Sequence, residues 1–367
     1  MSTRHIVIDA RNRRSSTGRY TDRLVEHLQD IDHDNRYTIL VQPDDPWEMH
    51  SPAFTTLPCP FPQFSFNPLD QIRFARQLYQ LHPDLVHFTM TQQPLLYFGN
   101  IVTTTHDLLM FYFVRRGDTP AAVYWVKMRL YHFLMWWSHK KSARVIVPTN
   151  YVAKELATMQ PFTKGKLVVT YESGALPSTK PPVKPKGAPQ DFIMYLGNAF
   201  PHKNVYRLCQ AFDLLHTQHP NLHLMLVGKK EKHYEELEQQ VKTLSARDNI
   251  HITGFLPDEQ AAWLYQHTKL FVTVSLGEGW GLPGTEAMAN GAPVLASNVS
   301  VMPEVYGDAA AYCDPNDPAD IAHQISKLLD DDKQRADLVK NGYQQIKKYS
   351  WTKMAQETLI VYKKLLG

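Results

Sequence analysis

Short apolar runs alternate with helix-like segments along the whole chain, and this alternation occurs twice. Most runs are almost continuously apolar, as expected for parallel strands that are covered on both faces. The predicted strands are His5–Asp9, Tyr37–Val41, Leu85–Phe88, Ile101–Thr105 and Val145–Pro148, then Phe192–Leu196, Leu222–Val227, Ile250–Thr253, Leu270–Val274 and Val294–Ala296. The predicted helices include Tyr20–Gln29, Leu69–Leu81, Val205–His216, Tyr234–Leu244 and Ile321–Leu329. The pattern predicts an α/β fold with two Rossmann-like domains, each built on a doubly wound parallel sheet.

A proline-rich segment separates the two halves of the chain. Residues 176–191 contain five prolines and show no periodicity, which is typical of a semi-rigid linker. We therefore expect a first domain over 1–177, a linker over 178–190 and a second domain over 191–350. The length of 367 residues agrees, because single hydrophobic cores stop growing at about 250–300 residues. Such sheets bind ligands at the carboxyl ends of their strands, so we expect a cleft between the domains.

The composition excludes several classes of protein. With 43% hydrophobic and 20% charged residues, the chain is neither disordered nor fibrous. No apolar run approaches the roughly 18 residues of a membrane span, and Met1–Ala10 lacks the pattern of a signal peptide. Three widely spaced cysteines exclude a disulfide framework and fit a reducing cytosol. The cysteines therefore favour a cytoplasmic protein. A net charge of +3 is too small for a nucleic-acid binder, so no nucleic-acid partner is expected.

The segment Ser275–Val294 reads SLGEGWGLPGTEAMANGAPV and follows a predicted strand. Three glycines occur within residues 277–281, and the next helix is predicted to begin near Pro283, a residue suited to a first helical turn. A strand, a glycine-rich turn and a helix N-terminus together form an anion site, because backbone N–H groups and the helix dipole face the ligand. The spacing differs from the Rossmann and P-loop fingerprints. We expect a phosphate group at this turn.

Two glutamates belong to this segment. Glu278 lies in the glycine-rich loop, and Glu286 is predicted to lie in the first helical turn, where negative charge is favoured. A carboxylate accepts two hydrogen bonds side by side and therefore suits the vicinal hydroxyls of a ribose or a sugar ring. The alternatives are a solvated loop acid for Glu278 and a helix-dipole residue for Glu286. The glycine-rich context favours sugar binding by both.

Residues 278–294 resemble the two-glutamate motif of retaining glycosyltransferases of family 4, which have the GT-B fold. Further segments resemble the same family, in the same order, along nearly the whole chain. They are Thr17–Thr21, Pro83–His87, Thr105–Leu108, Ala143–Leu156, Gly197–Asn204 and Pro303–Ala309. The resemblance implies transfer of a sugar from a nucleotide sugar, with retention of anomeric configuration and without a metal ion.

The resemblance also assigns roles to individual residues. It implies catalytic roles for His106, Lys203 and Glu278. The implied donor-binding residues are Gly18, Gly197, Asn198, His202, Lys203, Gly279, Trp280, Gly281, Leu282 and Glu286. Alternative interpretations remain for two residues: an ordinary helix-start glycine for Gly18 and a structural histidine for His106. The sequence agrees with the absence of a metal, since no Asp-x-Asp pair ends a predicted strand.

Elementary chemistry supports the role of Lys203. The diphosphate leaving group gains negative charge as its bond to the sugar breaks, so a lysine beside it stabilises the transition state more than the ground state.

The turn that contains Lys203 departs from the family pattern at two positions. Many family members carry an arginine after the glycine matched by Gly197 or before the lysine matched by Lys203, and here these positions hold Asn198 and His202. A protonated His202, or an arginine of the first domain such as Arg19, would replace the missing charge.

Region 111–144 combines basic and aromatic residues. Its seven basic residues are Arg115, Arg116, Lys127, Arg129, Lys140, Lys141 and Arg144, against one acid. The predicted core stripe of its helix consists of Val123, Val126, Leu130, Phe133, Leu134 and Trp137. A second apolar stripe consists of Trp125, Met128, His132, Met135 and Trp136. The second stripe either packs on more protein or makes residues 121–144 a surface for an anionic membrane.

Two further segments have open or implied roles. Pro43–Pro68 is proline-rich and is either an ordinary surface loop or a loop that shapes an acceptor pocket. Residues 351–367 have the periodicity of an amphipathic helix, and the resemblance implies that this helix packs back on the first domain.

The sequence therefore predicts a metal-independent hexosyltransferase of polysaccharide or cell-envelope glycan synthesis. We expect mannose as the sugar and GDP-mannose, rather than a UDP-sugar, as the donor; no resident cofactor is expected. The acceptor is predicted to be a glycan or a polyprenyl- or lipid-linked sugar, reached in the cytoplasm or at the inner face of the membrane. A sugar-nucleotide epimerase of GT-B architecture and a non-catalytic sugar-nucleotide-binding protein are the alternative functions.

Overall fold

The computed structural model describes residues 3–15, 17–62, 65, 67–114, 119–174 and 180–367. The predictions for Arg115 and Arg116, and for the beginning of the linker up to residue 179, lie outside the described residues. The chain divides into two compact units. The first unit comprises Met1–Leu108, Arg116–Glu172 and Ser350–Gly367, and the second comprises Leu109–Arg115 and Ser173–Tyr349.

A parallel sheet forms the centre of the first unit. Its strands, within the described residues, are β1 (His5–Asp9), β2 (Arg36–Val41), β3 (Phe54–Pro58), β4 (Leu85–Phe88), β5 (Ile101–Thr104), β6 (Arg144–Val147) and β7 (Leu167–Val169). They lie in the order β3-β2-β1-β4-β5-β6-β7. Every residue of β1 is buried, and Val7 pairs with Thr38 on one side and Val86 on the other. The unit's helices are α1 (Gly18–Ile31), α2 (Pro68–Leu81), α4 (Ala121–Lys141), α5 (Asn150–Met159) and α13 (Trp351–Leu366), whereas α3 (Leu109–Tyr112) belongs to the second unit.

The second unit is built on a parallel sheet of its own. Its strands, as far as the structure describes them, are β8 (Phe192–Leu196), β9 (His223–Val227), β10 (Ile250–Gly254), β11 (Leu270–Thr273), β12 (Val294–Ser297) and β13 (Ala310–Cys313), in the order β10-β9-β8-β11-β12-β13. Its helices besides α3 are α6 (Val205–Leu215), α7 (Lys232–Val241), α8 (Asp258–His267), α9 (Leu282–Ala289), α10 (Met302–Tyr306), α11 (Pro318–Asp330) and α12 (Asp332–Gln345). The prediction of two α/β domains with parallel sheets is confirmed.

The strands that sequence analysis missed are short or interrupted by proline. β3 lies inside Pro43–Pro68, so the interpretation of that stretch as a plain surface loop is wrong for residues 54–58. Pro58 is tolerated because β3 lies at the edge of the sheet. No strand pairs with its outer side, so the missing N–H of proline removes no hydrogen bond between strands there. β13 reads AAYC and contains no β-branched residue, which explains why its pattern was not recognised.

Helix α4 buries a different face from the predicted one. Val123, Val126, Leu130 and Phe133 were predicted to face the core, but all four are exposed, and Val126 is 68% exposed. The apolar residues buried instead are Tyr124, Met128 and Met135. Apolar residues occur on every side of α4, so helical periodicity alone does not define its inner face. Among the described helices, none is both long and apolar enough to cross a membrane.

Helix α13 packs on α1 within the first unit. Its buried residues are Trp351, Met354, Ala355, Thr358, Leu359, Val361 and Tyr362. The hydroxyl of Tyr362 lies 2.5 Å from Nδ1 of His87, a wholly buried residue of β4. Arg4 donates to the backbone oxygen of Leu366 at 3.0 Å. The buried face of α13 is therefore part of the core that surrounds β1 and β4.

Candidate active site

The glycine-rich loop follows β11 and leads into α9 as predicted, with the helix beginning at Leu282, one residue before Pro283. Gly281 precedes the helix with φ of 91°, a conformation that residues with a side chain rarely adopt. Tyr306 packs against the start of α9 and donates to the carbonyl oxygen of Gly281 at 2.7 Å. Burial, helped by the charge of Glu278, raises the pKa of Tyr306 well above its ordinary value, so the phenol remains a donor.

The turn cannot accept larger residues. A Cβ atom added to Gly284 would lie 2.3 Å from the hydroxyl oxygen of Tyr306, far inside van der Waals contact. At Gly281 the corresponding distance would be 2.4 Å. These two glycines allow the phenol to hold the loop against the helix, which positions the backbone N–H groups at the start of α9.

Lys203 lies in the turn that follows β8. Pro201–Lys203 form one turn of 3-10 helix, and Asn204 adopts a left-handed conformation with φ of 59°. The amide of Asn204 donates to the carbonyl oxygens of Val274 at 3.1 Å and Pro315 at 2.7 Å. These bonds tie the turn to the ends of β11 and β13, so backbone groups that follow two other strands help to position Lys203.

Lys203 and Glu278 form an ion pair. Nζ of Lys203 lies 2.5 Å from Oε1 of Glu278, and the side chains are only 13% and 12% exposed. The residue predicted to contact the phosphate and the residue predicted to contact the sugar are thus in direct contact with each other. A charge-assisted hydrogen bond of this kind holds the ammonium group of Lys203 beside the carboxylate.

Glu286 lies deeper than predicted. It is the fifth residue of α9, in the second helical turn, and it is 2% exposed. The prediction that it occupies the first turn is therefore wrong, and the helix dipole does not explain its presence. The hydroxyl of Tyr265 lies 3.3 Å from its Oε2. A buried carboxylate is costly unless polar groups bind it, and the hydroxyl of Tyr265 is one such group here.

The residues next to Lys203 in its turn pack against neighbouring side chains and strand ends. His202 is 2% exposed, and its ring lies 5.6 Å from the ring of Phe113 and 6.0 Å from that of Phe200. The N–H of Gly197 donates to the carbonyl oxygen of Val227 at 2.9 Å. The hydroxyl of Tyr195 donates to the carbonyl oxygen of Asn198 at 2.7 Å. The strand ends of β8 and β9 thereby hold the turn in place.

Gly18 and His106 belong to the first unit. Gly18 is the first residue of α1, and a Cβ atom there would lie 1.8 Å from the carbonyl oxygen of Arg13. Packing alone therefore requires glycine at this position, whether or not a ligand binds. His106 follows β5 by two residues, and the ring of Tyr20 from α1 meets it edge-on at 4.9 Å. Both predicted residues thus lie beside the same end of α1.

Each ring nitrogen of His106 lies close to an oxygen atom of another residue. Its Nε2 lies 2.9 Å from the backbone oxygen of Thr89, and its Nδ1 lies 3.5 Å from a carboxylate oxygen of Glu172. A carbonyl oxygen only accepts hydrogen bonds, and so does an ionised carboxylate. Both contacts therefore place an oxygen atom against a ring nitrogen of His106. The structure thus brings a buried acid against the predicted catalytic histidine.

Two family profiles match this chain, and each of them covers one of its halves. A sequence profile described as Glycosyltransferase Family 4 matches residues 17–173, and one described as Glycosyl transferases group 1 matches residues 178–345. The chain belongs to glycosyltransferase family 4. The two profiles together cover all of the predicted site residues of this family 4 protein.

Two curated relatives of the family 4 protein come from Escherichia coli. O-antigen chain mannosyltransferase B is 37% identical over 177 residues, which are 48% of this chain and 46% of the relative. Serotype-specific mannosyltransferase WbdA is 35% identical over 182 residues, 48% of this chain and 22% of the relative. The match thus spans about half of the first relative and about a fifth of the second.

A solved structure shows the same fold over the entire chain. Sucrose-phosphate synthase from Thermosynechococcus elongatus superimposes with a TM-score of 0.80 over 99% of each chain, at 19% sequence identity. At that identity the likeness concerns the fold, which is GT-B.

Sequence analysis missed two contributions to the site of the family 4 protein. Glu172 had no motif of its own, and its significance comes only from contact with His106. The segment Leu109–Phe113 was assigned to the first domain but belongs to the second unit. A Cβ atom on Gly277 would lie 2.8 Å from Leu109, so this segment packs directly on the glycine-rich loop. The apolar run at residues 108–114 was the available signal. The described residues contain no cluster of three or more His, Cys, Asp or Glu side chains suited to a metal ion.

Proposed function

We propose that this protein transfers mannose from GDP-mannose to a glycan or lipid-linked acceptor in the synthesis of a cell-envelope polysaccharide. The observation that carries the proposal is the buried ion pair between Lys203 and Glu278 at the glycine-rich turn of a family 4 chain. The names of two curated relatives support mannose as the sugar, since O-antigen chain mannosyltransferase B and serotype-specific mannosyltransferase WbdA are each similar to about half of this chain.

The leaving diphosphate is bound by the turn between Gly197 and Lys203 and by the backbone N–H groups at the start of α9. Lys203 exchanges part of its contact with Glu278 for a phosphate oxygen. As the bond to the sugar breaks, the charge on that oxygen grows, and the contact with the lysine strengthens. Lys203 and the amides of residues 279–282 supply the positive charge, so the reaction proceeds without a metal ion.

The two glutamates bind opposite ends of the donor. Glu286, buried beside Tyr265, accepts hydrogen bonds from the ribose hydroxyls. Glu278 accepts a bond from a hydroxyl of the transferring sugar while its negative charge favours the positive charge that develops at the anomeric carbon. For residues of the first unit, the proposal keeps the roles implied by the resemblance: phosphate binding for Gly18 and sugar binding for His106. Transfer retains the anomeric configuration, as in the resembled family.

The exposed face of α4 supports binding to a membrane that carries the acceptor. Its exposed apolar residues are Val123, Trp125, Val126, Leu130, Phe133 and Trp136, and Lys127, Arg129 and Lys140 are exposed on the same helix. Aromatic side chains together with basic groups suit the interface of an anionic bilayer. The protein then works as a peripheral protein at the cytoplasmic face of the membrane.

A donor screen tests the proposal. The purified protein is incubated with GDP-mannose, GDP-fucose, UDP-glucose or UDP-galactose, and thermal unfolding is measured for each. Selective binding raises stability by about 2.7 kcal/mol at a ligand concentration of a hundred times Kd, so GDP-mannose is expected to raise Tm most. A larger rise with a UDP-sugar would overturn the assignment of the donor.

Nuclear magnetic resonance of GDP-mannose without an acceptor separates the alternative functions. A glycosyltransferase leaves the donor intact or hydrolyses it slowly. An epimerase converts it into an isomeric nucleotide sugar, and a non-catalytic binding protein changes nothing even when the acceptor is added.

A further inference from the structure

Four buried polar side chains form a hydrogen-bonded network in the first unit, here called the core network. The hydroxyl of Tyr362, on α13, lies 2.5 Å from Nδ1 of His87 in β4. Nε2 of His87 lies 2.8 Å from the hydroxyl oxygen of Thr104 in β5. That oxygen lies 3.1 Å from the hydroxyl oxygen of Tyr20 in α1. Each of the four residues is at most 2% exposed, so the network is shielded from solvent.

The polar groups of the core network satisfy one another. Burial lowers the pKa of His87 to about 3, so its ring is neutral, with one nitrogen that donates and one that accepts. Burial raises the pKa of Tyr20 above its ordinary value, so its hydroxyl keeps its proton. Because each hydroxyl donates one bond and accepts another, all the links form at once in either direction. A buried network that is fully satisfied makes its members rigid and specifies one arrangement of the core.

The core network ends at Tyr20, and the ring of Tyr20 contacts His106. The two ring centroids are 4.9 Å apart, with an angle of 77° between the ring planes. Edge-on contact at this distance is a favoured arrangement of aromatic rings. The contacts of the ring nitrogens of His106 with Thr89 and Glu172 fix two points of the ring. A third contact fixes its plane, because two points alone leave the ring free to turn about the line that joins them.

We propose that Tyr20 is a positioning residue for His106, and that Tyr362 of α13 acts on the same ring through the core network. The hydroxyl bond to Thr104 holds the phenol ring of Tyr20 in place, and that ring holds the plane of the imidazole. The plane decides where the nitrogen atoms of His106 point, and hydrogen bonds weaken steeply when they are misaligned. This inference rests on the proposed function, because it concerns a residue to which that function assigns sugar binding.

Thr104→Val tests the core network, because valine has the shape of threonine but lacks the hydroxyl that joins Tyr20 to His87. Thr103→Val is the matched control. Thr103 is the preceding residue of β5, is also buried, and lies on the other face of the sheet, where its hydroxyl lies 2.6 Å from that of Ser142. Both variants lose one buried hydroxyl from the same strand, so a general loss of stability affects them alike.

NMR of histidine labelled with ¹³C at Cε1 reports on His106 without any substrate, and His106→Gln assigns its signal. Thr104→Val and Tyr362→Phe are expected to shift and broaden this signal, because the ring is no longer held in one plane. Thr103→Val is expected to leave it unchanged. An unchanged signal in Thr104→Val would overturn the proposal, and an unchanged signal in Tyr362→Phe would overturn the part assigned to α13.

Kinetics separates positioning from stability. Tyr20→Leu should lower kcat about ten- to a hundredfold, because a displacement of about 1 Å in a reacting group costs about a hundredfold. Thr104→Val should lower kcat about three- to tenfold, as for the loss of one neutral hydrogen bond. Both should leave the donor KM unchanged, and Thr103→Val should keep the wild-type kcat. Equal rates in Thr104→Val and Thr103→Val would refute the positioning role, and this comparison decides even if Tyr20→Leu does not fold.

The two measurements also distinguish this inference from the proposed function. If the wild-type protein neither binds nor turns over any nucleotide sugar, the proposed function fails. The NMR comparison of Thr104→Val with Thr103→Val still decides whether the core network positions His106, because it requires no donor.

Discussion

Nζ of Lys203 lies 2.5 Å from Oε1 of Glu278, although the two residues are 75 positions apart in the chain. The sequence suggested separate partners for them, phosphate for the lysine and sugar for the glutamate. Their contact means that the lysine is oriented before any donor arrives, so less side-chain entropy is lost on binding. It also means that removal of either residue changes the environment of the other.

Lys203→Ala should reduce kcat/KM for the donor about ten- to a hundredfold, because a lost charge-assisted hydrogen bond costs roughly 1.5–3 kcal/mol. The matched control is Lys230→Ala, which breaks a pair of the same 2.5 Å length with Glu238 on the exposed surface of the same unit. That variant should retain normal rates. Steady-state kinetics measures both, and equal effects in the two variants would refute the assignment of Lys203.

Glu172→Gln should lower kcat about tenfold, or by about 1.4 kcal/mol in the barrier, while leaving the donor KM unchanged. The amide keeps the shape of the glutamate but removes the carboxylate whose oxygen lies 3.5 Å from Nδ1 of His106. His106→Ala should have a similar effect, and the double variant should be no worse than either single one. Glu26→Gln, an exposed acid of α1, is the control. Additive losses in the double variant would show that the two residues act independently.

A chelator should leave the transfer rate unchanged, because in the proposed mechanism Lys203 and the N–H groups at the start of α9 provide the charge that a metal would otherwise supply. The rate is measured after dialysis against EDTA and again after addition of Mg²⁺ or Mn²⁺. Activity that disappears on dialysis and returns with the metal would contradict the proposed mechanism.

Stability should fall below about pH 6.5 because two histidines are buried as neutral rings. Burial lowers the pKa of His87 to about 3, aided by His106, and burial lowers that of His139 to about 4. Between these values and the unfolded value of 6.5, the unfolded chain binds more protons than the folded one, so stability rises with pH across this window. At pH 5, each buried histidine is therefore expected to lower the free energy of unfolding by about 2 kcal/mol relative to its value well above pH 6.5. Urea unfolding between pH 5 and 7 measures the slope.

His87→Gln should make this pH dependence shallower, whatever its effect on stability at pH 7. His50→Gln is the control, because that ring is exposed and does not bury a neutral imidazole. A slope that is unchanged in His87→Gln would place the acid sensitivity elsewhere.

Replacement of Trp125 and Val126 by serine should weaken binding to anionic vesicles about tenfold or more, since each large apolar side chain contributes about 1.5–3 kcal/mol when it leaves water. Sedimentation with phosphatidylglycerol vesicles measures the bound fraction. Leu214→Ser removes an equally exposed apolar residue from α6 and should bind like the wild-type protein. Wild-type protein that remains in the supernatant would contradict the membrane proposal.

Several features of the site could be predicted because they depend on neighbours in the chain. A glycine-rich turn after an apolar strand, followed by Leu-Pro-Gly, predicts a helix N-terminus wherever it occurs, and α9 begins within one residue of the predicted position. The position of Glu286 was not predicted correctly, because one or two residues at a helix start decide whether a carboxylate lies in the first or second turn.

The sequence by itself determined the alternation of strands and helices and the two parallel α/β domains, because local periodicity and turn residues specify these, and its motifs indicated the family. The tertiary structure alone decided that Glu172 meets His106, that Lys203 meets Glu278, and that α4 buries Met128 rather than Val126. These contacts join residues brought together by strand order, or select one apolar face among several on one helix. Packing against the rest of the chain makes that selection, and no periodicity within a segment records it.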